Sequence, residues 1–293
     1  AAPSRPGPEV ITHRSVLVVT GGARGVTADC VLALAKKHRP RILLLGRSEL
    51  KEEPACCRGI TDDAAMKKAL LQEAISRGET PKPADLGRWA NEVHAYREIA
   101  ATLGALKVAG ADVLYQPVDA RDRAAVQAAL ANARDKWGPI TGVIHGAGVL
   151  SDKRLVDKTV EQFDRVFDTK VEGLRVLLDA TADDPLNLLC LFSSVAARHG
   201  NPGQADYAMA NEVLNQVALL EAQQRRGTCL VRSINWGPWE GGMVTPALAE
   251  HFHKMGVPLI PQDAGAQFLV DELRGDPGSS VQVLVGGRAV GER

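Results

Sequence analysis

Four residues carry side chains suited to delivering a proton to a carbonyl oxygen: Ser194, Tyr207, Asn211 and Lys170. The stretch 187–211, NLLCLFSSVAARHGNPGQADYAMAN, opens with Leu188 to Phe192, a nearly continuous apolar run of the kind that forms a strand buried on both faces. Ser193 and Ser194 end it, and a loop rich in Gly, Asn and Pro follows. Tyr207 then opens a helical pattern, with Asn211 four residues on. Positions four apart share a helical face, so a serine at a strand end and a Tyr/Asn pair can converge on one point. Hydride reduction of a ketone leaves an alkoxide that needs a proton. A tyrosine can supply it if a nearby ammonium stabilises its anion. Tyr207, one of three tyrosines, is the candidate acid, and Ser194 the hydrogen-bond donor to the carbonyl oxygen. Lys170, in DTKVEG on the preceding helix, can supply the ammonium, and Asn211 can hold a relay water. Each residue alone reads as readily as a structural one; it is the set that is specific.

Two other stretches bear on a cofactor. Thr20-Gly21-Gly22-Ala23-Arg24-Gly25 lies between an apolar strand and a helix. Glycines there let the backbone approach a pyrophosphate, and the helix N-terminus offers free N–H groups and positive dipole; the alternative is a tight turn with no ligand. The second strand ends Gly46-Arg47-Ser48, with no carboxylate before Glu49. An NAD site places an acidic residue near that point for the ribose hydroxyl. A guanidinium and a serine suit a 2′-phosphate instead, and Arg24 can close on the same group. The pattern favours NADPH over NADH; the bland alternative is two solvated arginines.

The elements that must hold these residues follow from apolar runs alternating with helical patterns. Strands are expected at Val16 to Val19, Arg41 to Leu45, Asp112 to Pro117, Thr141 to Ile144, Leu188 to Phe192, Cys229 to Ile234 and Val281 to Val285. Helical patterns separate them, including a two-block segment over 49–110 with periodic stretches at 62–77 and 84–107. This predicts an α/β fold: a doubly wound, seven-stranded parallel sheet with a helical insertion between strands two and three. Its ligand crevice lies at the carboxyl ends of the strands, where the polar punctuation falls. Residues 1–13 read as a Pro-rich linker, 14–290 as one domain, and 240–256 as a lid around Met243 that orders on a cofactor.

Composition excludes several classes. The 293 residues are 45% hydrophobic with 35 basic against 35 acidic groups, and no basic run stands out, which argues against a nucleic-acid or membrane-surface binder. No apolar run reaches the length of a membrane span. Five cysteines at spacings that match no zinc pattern fit a reducing, cytoplasmic setting. His251 and His253 lack further ligands at metal spacing, so no metal is expected. The first residue is not Met, as in a piece of a longer chain.

The motifs TGGARG, HGAGV, DTKVEG, LFSS, GQADYAMAN and NWGPW resemble the ketoreductase domains of type I polyketide and polyunsaturated fatty acid synthases, of the short-chain dehydrogenase/reductase superfamily. Ser194 precedes Tyr207 by thirteen residues, the superfamily spacing. The superfamily at large has its lysine four after the tyrosine; the synthase ketoreductases exchange the Lys and Asn positions, as does this chain. The resemblance covers about residues 14–48 and 110–286. It implies NADPH-dependent reduction of a β-ketoacyl group, borne on the phosphopantetheine arm of an acyl carrier protein, inside a multidomain polypeptide. Tyr207 then corresponds to the proton donor, Ser194 to the carbonyl partner, Lys170 to the residue that lowers the tyrosine pKa, and Asn211 to the relay. Among cofactor positions the resemblance counts Gly21, Gly22, Gly25 and Val26 in the turn, with Arg24, Arg47 and Ser48 at the 2′-phosphate. Asp119 and Ala120 correspond to positions near the adenine, Ala147 and Gly148 to the nicotinamide side, and Pro238 to the carboxamide.

Stereochemistry can be read the same way. One ketoreductase class carries Leu-Asp-Asp after HxAGV, and here Leu150-Ser151-Asp152 keeps the leucine and second aspartate. Pro202, five before the tyrosine, matches that class, and the Trp marking the opposite class would fall at His199. A D-hydroxy product is the expectation, with Met243 counted among the substrate residues. Departures are Thr27 at the usual last glycine of the turn, Asp206 where an Asn usually precedes the tyrosine, and the long insertion, which resembles that of polyunsaturated fatty acid synthases and reads as a lid, spacer or dock. Two other readings remain: an enzyme of this fold acting on free small ketones or alcohols, and a nucleotide-binding domain without catalysis. The swapped Lys/Asn layout argues against the first, the complete Ser/Tyr/Lys/Asn set against the second.

Overall fold

Seven apolar runs pair into one sheet: β1 (Val16–Thr20), β2 (Arg41–Gly46), β3 (Asp112–Pro117), β4 (Gly142–His145), β5 (Leu188–Ser194), β6 (Leu230–Trp236) and β7 (Gln282–Val285). The computed structural model describes residues 9–242, 244–275 and 279–286. The strand order is β3-β2-β1-β4-β5-β6-β7, and every ladder is parallel. Order reverses between β1 and β4, so their carboxyl ends diverge and open a crevice. The central strands are continuous apolar runs because helices cover both faces. The fold is the expected Rossmann-like α/β sheet.

One layer comprises α1 (Gly25–His38), α3 (Pro83–Val108) and α9 (Gln262–Glu272), whose Leu34, Ile99, Leu106 and Leu269 share a core with Leu17, Ile42 and Cys190. The other comprises α4 (Arg123–Trp137), α5 (Val160–Ala180) and α7 (Ala205–Gln224), through Leu130, Leu174, Leu177 and Leu214. The inserted segment is a hairpin of α2 (Asp63–Ser76) and the first half of α3, with its own small core of Cys57, Met66, Leu70, Ala90 and Val93. The second half of α3 is the crossover between β2 and β3, so the insertion is continuous with the sheet-covering layer.

Two details depart from expectation. The ladder of β6 on β5 runs on through Asn235 and Trp236 rather than ending at Ile234. The loop after Ser194 contains one helical turn, α6 (Ala196–His199). Of the lid, α8 (Pro246–Lys254) is helical, whereas Met243 lies outside the described residues, as do residues 1–8 of the linker. All five cysteines are unpaired, and His251 and His253 are exposed on α8. Among the described residues no group of side chains is suited to a metal ion, and no helix is long and apolar enough to cross a membrane.

His145 closes β4 fully buried, with Nδ1 2.8 Å from Thr20 Oγ1 and Nε2 2.9 Å from Lys170 O. A carbonyl only accepts, so Nε2 carries the proton and Nδ1 accepts from the threonine hydroxyl. Burial, then the neighbouring Lys170 ammonium, push the ring's pKa down to about 3. The unfolded chain, with a histidine pKa of about 6.5, therefore binds the extra proton between the two values. Stability should fall as pH drops through that window, by about 2 kcal/mol between pH 7 and 5 and up to roughly 5 kcal/mol in all. Urea unfolding at the two pH values should show a larger loss for wild type than for His145→Gln; equal losses would contradict the assignment.

Candidate active site

The carboxyl ends of β1, β2, β4, β5 and β6 border one cleft of about 710 Å³, within the range of small-molecule sites. Gly21, Arg24, Gly25 and Val26 line it from the first βα turn, and Arg47 and Ser48 from the end of β2. Asp119 and Ala120 follow β3, Ala147, Gly148 and Leu150 follow β4, and Pro238 follows β6. Lys170, Ser194 and Tyr207 complete the wall. Four expected residues stand outside this lining: Gly22, Asn211, Asp152 and Pro202. Gly22 and Asn211 are buried behind it, whereas Asp152 and Pro202 are exposed outside it.

The candidate proton-handling residues are held by backbone and buried polar groups. Lys170 is 3% exposed, and its Nζ donates to Phe192 O at 2.9 Å, tying α5 to the end of β5 two residues before Ser194. The same Nζ lies 5.6 Å from the centroid of the Tyr207 ring. Burial lowers the lysine pKa to about 8. Burial likewise raises the Tyr207 phenol above its ordinary value, partly opposed by hydrogen bonding to Asn211 and Ser194 and reinforced by the Asp152 charge. Asn211 Nδ2 donates to Tyr207 O at 2.8 Å, while its Oδ1 is a buried acceptor with no protein partner. Such an acceptor calls for a water. Beneath it, Ser193 Oγ lies 3.1 Å from both Asn211 O and Asn235 Oδ1, and Asn215 Nδ2 donates to Asn235 Oδ1 at 2.9 Å. Ser233 Oγ donates to Asn215 Oδ1 at 2.7 Å, so β5, β6 and α7 are locked by one buried network.

The first turn accepts an anion. Gly25 has φ +59°, a conformation glycine adopts without strain, and its N–H donates at 2.8 Å to Oε1 of Glu98 on α3. Oε2 of the same carboxylate pairs with Arg24 Nε at 2.7 Å. The end of β2 is braced by Tyr115, whose hydroxyl donates to Ser48 O at 2.5 Å. Asp119 is held by Arg121, which keeps its carboxyl below the usual range. A carboxylate already seated on the helix N-terminus, with two arginines and a serine on the same rim, fits a dinucleotide bearing phosphates. The Thr27 departure is absorbed locally: a Cβ on Gly146 would lie 2.6 Å from Thr27 Cγ2, so the missing methyl of one makes room for the side chain of the other.

Sequence reasoning missed several residues. Asp206 pairs with Lys158 at 2.6 Å, both side chains 1% exposed. Lys158 also donates to Ser151 O at 2.7 Å, and Asp206 Oδ1 accepts from Tyr207 N at 2.9 Å. The pair therefore fastens the segment beside Leu150 to the start of the Tyr207 helix. Gln204 Nε2 to Asp152 Oδ2, 2.9 Å, and Lys153 N to Gly203 O, 3.0 Å, reinforce that seam. The one legible signal was Asp206 standing where an asparagine is usual; Glu98, within the insertion, carried none.

With this geometry in hand, comparison with known proteins is consistent across sequence and structure. The KR domain family model matches residues 15–241. The chain is 39% identical over 284 residues to a polyunsaturated fatty acid synthase polypeptide of Thraustochytrium sp., covering 94% of this chain and 10% of that protein. It is 30% identical over 284 residues to the polyketide synthase PksL of Bacillus subtilis, covering 93% of this chain and 5% of the other. Among solved structures, a ketoreductase domain from the bacillaene assembly line matches with TM-score 0.70 and 28% identity over 93% of this chain and 55% of that one. A-type ketoreductases from a modular polyketide synthase match with TM-score 0.70 and 27% identity, covering 98% of this chain and 50% of theirs. The chain thus spans a tenth or less of these two synthases and about half of these solved chains.

Removing one member of a buried ion pair strands the other charge and costs about 3–5 kcal/mol. Lys158→Met should lose stability of that order in urea unfolding, and the double variant Lys158→Met, Asp206→Asn should recover most of it. A single-variant loss below about 1 kcal/mol, as for an exposed pair, would contradict the assignment.

Proposed function

This chain belongs to the KR domain family, and we propose that it reduces a β-ketoacyl thioester, carried by an acyl carrier protein, to the β-hydroxyacyl thioester with NADPH. Residues 14–290 act as one catalytic domain of a polyketide or polyunsaturated fatty acid synthase working in the cytoplasm, beside neighbouring domains of the same polypeptide. The observation that carries this reading is the meeting of Ser194, Tyr207 and Lys170 in the one cleft that the phosphate-type turn also lines.

The chemistry NADPH would supply, when bound, is hydride transfer to the ketone carbon. Ser194 donates a hydrogen bond to the carbonyl oxygen, where negative charge develops. Tyr207 transfers its phenolic proton to that oxygen, and its raised pKa keeps the proton in place through neutral pH. Lys170 stabilises the phenolate left behind, and Asn211 Oδ1 anchors the water through which the phenol is reprotonated. Arg24, Arg47 and Ser48, on one rim of the cleft, would hold the 2′-phosphate, which favours NADPH. Leu150, at the cleft wall, and the seam tying Asp152 to Gln204 support delivery to the face that gives the D-hydroxyl.

NADPH absorbance should fall with a β-ketoacyl thioester or trans-1-decalone and stay constant with neither. Oxidation with neither substrate present, or none with any, would contradict the proposal, and strong preference for a free sugar or steroid ketone would point to a small-molecule reductase. Tyr207→Phe should lower reduction by about 10²–10⁴ with NADPH affinity within a few-fold; retained turnover would reject Tyr207 as the acid. The Lys170 ammonium, with a pKa of about 8, is present below that value and lost above it. Reductase kcat/KM should therefore decline as pH rises past about 8; a profile flat to pH 10 would remove Lys170 from this role.

A further inference from the structure

The first turn of α1 carries no acidic residue, and its N-cap position, Arg24, makes no side-chain cap hydrogen bond. The negative charge that a helix N-terminus favours comes instead from another element. Glu98, on α3, accepts from Gly25 N with one oxygen and from Arg24 Nε with the other. This carboxylate borders the cleft beside the turn and the Arg47 and Ser48 rim. We propose that Glu98 is a built-in competitor for the cofactor's phosphate: it occupies the anion site in the free protein and swings aside when a dinucleotide phosphate takes the same N–H and guanidinium.

The surroundings support exchange by side-chain rotation rather than helix movement. Ile99, the next residue, is 1% exposed in the main core, so the backbone of α3 is fixed there. The Glu98 and Arg24 side chains are 43% and 47% exposed, so both can rotate into solvent. Asp29, one turn further along α1, has its carboxyl pKa raised by burial and by the Glu98 charge, so Glu98 sits close enough to another carboxylate to be repelled by it. A phosphate brings more charge and more acceptor oxygens than a carboxylate to the same donors. Glu98 thereby sets how tightly cofactor is held and eases its departure after reduction, a specificity role for a residue that the insertion brings into the cofactor site.

The inference rests on the reading of the cleft as a dinucleotide site, and direct binding separates the two. Dissociation constants for NADPH and NADH are measured by fluorescence titration, without substrate, for wild type, Glu98→Gln and Glu98→Ala, with thermal melts confirming folding. An exposed pair of this kind makes the expected tightening about two- to fivefold. Tightening for NADPH alone assigns the competition to the 2′-phosphate; tightening for both dinucleotides assigns it to the pyrophosphate. Unchanged or weaker binding in both variants, with wild type binding normally, overturns the inference and leaves the reductase reading standing. Failure of wild type to bind either dinucleotide overturns both.

Discussion

A hydrogen-bonded chain running from the end of β1 through β4 and α5 to the end of β5 organises this molecule. The Thr20 hydroxyl donates to His145 Nδ1, His145 Nε2–H to the Lys170 carbonyl, and Lys170 Nζ to the Phe192 carbonyl. These groups sit at the carboxyl ends of β1, β4 and β5 and on α5, so one set of bonds fixes the relative position of three strands and a helix. Each member is buried, where an unmade hydrogen bond costs far more than in water. Gly173, one turn after Lys170, keeps the approach close: a Cβ there would sit 3.3 Å from the His145 ring. Thr20 Oγ1 also accepts from Ala147 N, which brings the loop after β4 into the same chain.

That arrangement determines the charge state of the site. Enclosing Lys170 desolvates its ammonium, and enclosing the phenol desolvates a phenolate, so the two are driven in opposite directions. The first shift leaves the lysine able to carry or shed its proton near neutrality; the second keeps the tyrosine protonated. The buried Ser193–Asn235–Asn215–Ser233 network beneath Asn211 restrains α7, which carries the phenol, against β5 and β6. On the other side, the Lys158–Asp206 pair fastens the segment around Ser151 to the first turn of α7.

Much of this was legible before the structure because the signals are local. The four-residue offset of Tyr207 and Asn211, the apolar run ending at Ser194, and the Gly-rich turn each lie within one element and its boundary, where periodicity speaks directly. Lys170 was reachable through the motif around it, since no local pattern distinguishes a buried helical lysine from a solvated one. What escaped depends on partners distant in sequence. Lys158 and Asp206 are 48 residues apart, Glu98 and Gly25 are 73 apart, and nothing near either end announces the other. The turn at Ala196–His199 is too short for periodicity to register. The insertion was visible as an interruption, but that the second half of its helix doubles as the β2–β3 crossover emerged only when Ile99 and Leu106 were found in the main core.

The central claim is that Ser194, Tyr207 and Lys170 meet around one reacting carbonyl beside a nicotinamide ring. A crystal structure with NADP bound tests it most directly. The ring should lie against Ala147, Gly148 and Pro238, with the Tyr207 hydroxyl and Ser194 Oγ both facing the hydride-donating carbon and Lys170 Nζ within reach of the ribose and the phenol. A nicotinamide seated elsewhere in the cleft, or a Tyr207 hydroxyl turned away from it, would contradict the claim and leave a protein that binds a nucleotide without acting on it.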